Sequence, residues 1–158
     1  MTFNFRFLAL VLVAGALATG CSDVSKPAPG ISAAGTLAPC PGKPNCRCSD
    51  VAGEDHGIPA LSIPGEPGAA WAALKAYVDA QPRMKVIVER DDYLHVEATT
   101  RLMRFTDDVE FHLRADNGQI AMRSESRVGY SDLGANAKRL EAVRAALADK
   151  GVVAASAD

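Results

Sequence analysis

The chain has 158 residues, with 17 Lys+Arg against 19 Asp+Glu, a formal charge of -2. Its 48% apolar and 23% charged residues exclude a wholly disordered chain, and a pI near 5.9 excludes the cationic footprint of a nucleic-acid binder. The length suits one domain, and four cysteines are too few for a disulfide-dense mini-protein.

The first element is an address. Only Arg6 is charged among the opening residues, and residues 7–17 are an unbroken apolar run of 11. A membrane-spanning helix needs about 20 such residues, so the run fits the core of a secretory signal. Small residues then lead to a cysteine in Leu17-Ala18-Thr19-Gly20-Cys21, which resembles a bacterial lipobox with Ala18 where Leu or Val is usual. The resemblance implies a diacylglyceryl group, and palmitate-type acylation, on Cys21 after cleavage before it. The alternative is an ordinary signal peptide cut near residues 18–20, leaving a soluble periplasmic protein. Ser22 follows the cysteine in place of the Asp that marks inner-membrane retention, so the expected location is the periplasmic face of the outer membrane.

Without residues 1–20 the chain keeps 138 residues, 16 Lys+Arg and 19 Asp+Glu, a formal -3. No polybasic run is available for anionic lipid, so the acyl chains carry the anchoring in this reading. Residues 22–39 are rich in Ser, Pro, Ala and Gly without an apolar period, the composition of a flexible tether.

Residues 40–65 form a cysteine-containing loop. Pro41-Gly42 and Pro44-Asn45 are turn dipeptides between Cys40, Cys46 and Cys48. In an oxidising envelope a structural disulfide is expected. Three pairings are open, with Cys46–Cys48 disfavoured by strain, and a Cys40–Cys46 ring would stabilise by roughly 2 kcal/mol. The leftover thiol leaves two other readings, a redox pair or a metal site from Cys40, Cys46, Cys48 and His56. The spacing C-x5-C-x-C-x7-H matches no common zinc module, so no metal or other cofactor is expected.

From residue 66 to 151 the pattern predicts a compact α+β domain. Gly65-Glu66-Pro67 opens a helix carrying Trp71, Leu74, Tyr77 and Val78, and Gln81-Pro82 stops it. Strands are predicted over 84–90, 93–102, 107–115 and 119–128. Their expected inward residues are Leu94, Val96, Ala98 and Leu102, then Val109, Phe111 and Leu113, then Ile120, Met122 and Val128. Asn117-Gly118 signals a type I′ hairpin. Asp132 caps a last helix with Leu133, Ala137, Leu140, Val143 and Leu147 on one stripe, and a tail follows from 152. The expected architecture is a four-stranded antiparallel meander with two helices on one face, in the order α-β-β-β-β-α.

The opposite sheet face collects His95, Glu97, Thr99, Arg101, Asp107 or Asp108, Glu110, His112, Arg123, Glu125 and Arg127. One reading is a solvated face of cross-strand ion pairs. Another is a concave site where Arg101, Arg123 and Arg127 bind an anion, with carboxylates such as Glu97 and Glu110 available for acid–base work. No Gly-x-Ser-x-Gly and no phosphate-binding Gly loop is present.

Three ordered strings carry a family resemblance. They are Cys40 with Pro44-Asn45-Cys46, the run of residues 104–111 (RFTDDVEF), and residues 126–136 (SRVGYSDLGAN) with Arg139. Together, over residues 37–148, they resemble the family filed as domain of unknown function 1499, found in bacterial envelope lipoproteins. Cys48 departs from the pattern by standing where the family has serine. The resemblance implies no established activity. It draws attention to Asp107, Asp108, Glu110, Arg127, Asp132, Asn136 and Arg139, which with Arg101 of the polar sheet face are the candidate ligand-binding residues, alongside a structural reading in which the family residues join sheet edge to helix start. The expectation is a lipid-anchored, non-catalytic domain binding a protein or small molecule. The alternatives are an envelope enzyme built on the acidic/Arg cluster and a Cys-centred metal or redox module.

Overall fold

Period-two alternation gives way to three-to-four spacing at both ends of the regular region, and the chain folds accordingly. The structure, a computed structural model, describes residues 28–51, 53 and 55–155; the leader, Cys21 and the start of the tether lie outside them. Among these residues are six strands: β1 (Cys46–Cys48), β2 (Leu61–Ser62), β3 (Met84–Glu89), β4 (Tyr93–Thr99), β5 (Thr106–Arg114) and β6 (Gln119–Ser126). Helix α1 (Pro67–Asp79) precedes β3, and α2 (Ala135–Asp149) follows β6. The α+β class holds, but the sheet has six strands instead of four and the order is β-β-α-β-β-β-β-α. Its path is β1-β6-β5-β4-β3, with β2 also on β6 and every strand pair antiparallel. Strands of three and two residues are too short to show alternation, so the additions at the β6 edge leave no periodic trace.

Leu94, Val96, Val109, Phe111, Ile120 and Met122 meet Trp71, Leu74 and Val78 of α1 and Leu140, Val143 and Leu147 of α2 in the main core. The tail turns back onto this core through buried Val153, and Ala154 N–H donates to the Ser62 carbonyl. Glu66 caps α1 by accepting from Gly68 N–H, with Pro67 in the first turn where its missing donor is harmless.

Three residues expected inside are not. Leu102 lies beyond β4, Val128 beyond β6 and Leu133 before α2, and all three are exposed. The strands end earlier than their apolar pattern, because the chain enters turns at Thr100 and Arg127. The Asn117-Gly118 turn also differs from the expected type I′. Residues 115–117 form a single 3-10 turn, and only Gly118 takes the left-handed conformation (φ 59°).

The second sheet face is covered rather than solvated. Gly30 N–H donates to Glu110 Oε1 (2.9 Å), and Leu37 N–H donates to Asp50 Oδ2 (2.7 Å). Leu37, Cys48 and Tyr93 form a second small core with Ala121, against which Ile31, Val51 and Val88 pack. Residues 30–39, which composition places in the tether, are therefore a strap across the sheet. A register shift at Ile87 lets β3 serve both cores: Val86 faces the helices and Val88 faces the strap.

Candidate functional site

Antiparallel register decides which acidic side chains meet. Asp107 pairs across to Ser126 on the helix side, whereas Asp108, opposite Glu97 and Glu125, points to the strap side. The eight candidate residues accordingly split into three buried networks and one exposed cation.

At the centre of the strap side, Glu110 (fully buried) accepts from Gly30 N–H, Tyr93 Oη–H (2.7 Å) and Arg123 Nη1 (2.9 Å). Arg123 also pairs with Glu125. Burial, and then the bond to Glu110, push the Tyr93 hydroxyl far above its ordinary value, in keeping with its role as donor to Glu110. A charge this deep is tolerated because three donors replace its water.

Nearer the end where β4 stops and β5 starts, Arg127 forks onto Asp108 (2.8 and 2.9 Å) and reaches Glu97 (2.7 Å). His95 Nε2 lies 2.7 Å from the same Asp108 carboxylate. Burial works to raise the Asp108 carboxyl, but the bonds from Arg127 and His95 outweigh it and hold it below the usual range.

On the helix side, Arg139 of α2 bonds Asp107 (2.5 Å), Asn136 (2.6 Å) and Ser124 (2.9 Å). Asn136, fully buried, donates to the Asn45 carbonyl and to Ser126, while Asn45 donates to the carbonyls of Ser126 and Gly129. This network stitches the Pro-Asn-Cys loop, β6 and α2 together. Gly134 is the residue next to α2 by backbone, yet Asp132 performs the capping. Its carboxylate accepts from the N–H groups of Gly134 (3.0 Å) and Asn136 (2.7 Å), which hold it below the usual range although burial opposes them.

Cys40 and Cys46 form the disulfide. Cys48 is a buried free thiol held up in pKa first by burial. Two of the four proposed metal ligands are thus joined to each other, and among the described residues no three His, Cys, Asp or Glu converge on a metal position.

Arg101 stands apart. It lines a cleft of about 350 Å³ at the sheet end, with Arg83 before β3, Lys138 and Arg139 on α2, and Met84 and Ala98 among its apolar residues. Arg83, Arg101 and Lys138 are exposed, and none of their side chains enters an ion pair or hydrogen bond among the described residues. Arg83 and Lys138 lie outside the residues that the sequence pattern singles out. The available signal was the helix stop at Gln81-Pro82, which places Arg83 at the same sheet end as the turn after β4.

No helix among the described residues is long and apolar enough to cross a membrane. Comparison with curated proteins and with solved structures finds no match. Residues 36–147 match the family described as "Protein of unknown function (DUF1499)". The match takes in the Cys40–Cys46 loop, all six strands, the pairings of Arg123, Arg127 and Arg139, and most of α2. The chain belongs to the DUF1499 family.

Proposed function

We propose that this chain is a lipid-anchored protein of the bacterial cell envelope, delivered by residues 1–20, held through Cys21, and carrying a non-catalytic domain that binds an anionic group in the sheet-end cleft. The observation that carries the binding reading is the contrast in pairing. Arg123, Arg127 and Arg139 are each occupied by buried carboxylates, whereas Arg83, Arg101 and Lys138 surround a cleft with their charges unanswered. Guanidinium groups suit oxygen anions because their planar donors address two oxygens together. The enzyme alternative loses support from the same contrast, since Asp107, Asp108 and Glu110 have donors already in place.

Two measurements test the proposal. Intact mass of the membrane-extracted chain should show a diacylglyceryl adduct on Cys21, and an unmodified start at another residue refutes the anchor. Inorganic phosphate should raise the Tm of the mature chain and should not do so in an Arg101→Ala, Lys138→Ala double variant. An equal rise in both refutes the cleft.

A further inference from the structure

Six large apolar side chains stand in solvent at the end of the sheet that holds the cationic cleft. Leu102, Met103 and Phe105 occupy the turn between β4 and β5, and Val128, Tyr130 and Leu133 the segment between β6 and α2. Leu102 and Leu133 are 89% and 88% exposed. The two segments are tied to each other by Arg127 N–H donating to the Thr106 carbonyl. Arg104 and Leu133 are the two non-glycine residues with positive φ among the described residues (54° and 53°). Folding alone would favour Gly or Asn at such a position, so an exposed leucine there answers to something outside the domain.

Charge is sorted along the same axis. The apolar tips are flanked by Arg83, Arg101, Arg104 and Lys138. Among the described residues the other acids of that end are Asp79, which is exposed, and Asp132, which is half-buried and engaged by the start of α2. Glu97, Asp107 and Asp108 are answered by Arg127 and Arg139. At the far end Glu66, Asp91, Asp92, Asp116 and Asp149 face only Arg90 and Lys150 among exposed charges.

We infer that the loop end docks on an anionic phospholipid surface, its apolar tips entering the interface while the ring of cations meets headgroup phosphates. This rests on the lipid-anchored reading above and states which face the anchored domain turns to the membrane. Chain length agrees. The strap is fastened at Gly30, nine residue steps from Cys21, a reach of at most about 32 Å. From Glu110 the sheet end is four residues along β5, about 13 Å. Either end lies within that reach, and charge selects between them, because the far end is repelled by an anionic surface.

The mature chain, its Cys21 state known from intact mass, is placed in phosphatidylcholine vesicles and in vesicles containing roughly one-third phosphatidylglycerol. A polarity-sensitive fluorophore on Leu102→Cys should shift to the blue and be quenched by brominated acyl chains in the anionic vesicles, while one on Asn117→Cys should not. Arg101→Ala or Arg83→Ala should each lower the docked-to-undocked ratio about fivefold. Docking is overturned if the Leu102 label stays in water, or if it responds equally in both vesicles and to neither variant. It is equally overturned if the shift follows protein concentration without vesicles, which would indicate a second copy as occupant. If the mass shows no adduct, the anchor reading fails by itself. The same labelled chain added to the two vesicles still decides docking by the same blue shift.

Discussion

Two regions of this small domain are rich in arginine, and they use it in opposite ways. Under the strap and beneath α2, Arg123, Arg127 and Arg139 each meet carboxylates at hydrogen-bonding distance, and two of those carboxylates, Glu110 and Asp108, also accept from Gly30 N–H and Tyr93 or lie against His95. At the sheet end Arg83 and Arg101 meet none among the described residues. Residue type therefore says little about role here; burial and register decide it. A guanidinium deep in the fold is a structural part whose loss strands an anion, and one on a loop is available to whatever arrives.

The sharpest break of that contrast is Glu110→Ala. It leaves Arg123 buried with half its pairing gone and frees Gly30 and Tyr93, so a loss of about 3–5 kcal/mol is expected from urea unfolding. Removing the disulfide with Cys40→Ser, Cys46→Ser should cost about 2 kcal/mol in the same measurement. Asn136→Ala should cost about 1–3 kcal/mol, since it removes the donor to the buried Asn45 carbonyl and the partner of Ser124. Arg101→Ala, by contrast, should stay within about 0.5 kcal/mol of the parent. A large loss there would erase the distinction between the two regions.

Acid titration sharpens it further. The carboxyls of Asp108 and Asp50 are opposed by burial but held below their ordinary range by Arg127 with His95, and by Arg114 with Leu37 N–H. The unfolded chain takes up their protons first, so the stability they contribute is complete above about pH 4 and drains as pH falls through their folded values. Asp108→Asn should flatten that acid limb. His112 is shifted downward, first by burial and then by Arg114, so stability should already decline below about pH 6.5, where the unfolded chain protonates and the folded one does not. His112→Gln should remove this earlier decline.

How much of this could be read from the chain itself follows from length and register. Four strands and two helices announce themselves through periodicity sustained over 6 to 15 residues. β1 and β2 are too short for that, and the strap hides because its two anchoring apolar residues, Ile31 and Leu37, sit in a Ser/Pro/Gly background. Asp107 and Asp108 could not be assigned to faces because one residue of register exchanges them. Leu102, Val128 and Leu133 continue the alternation of their neighbours past the point where the strands stop. Pattern alone could not distinguish an inward apolar residue from one the fold leaves outside.

The fastening of Gly30 to Glu110 has a mechanical consequence. Glu110 belongs to β5, the middle of the five-strand path, with β6 and β4 hydrogen-bonded along its two flanks. Tension transmitted through the N-terminus therefore enters at the most heavily braced strand and is shared sideways as shear. Had the leash been attached to β3 or β1, the same pull would have peeled the sheet open from its rim, one backbone bond after another.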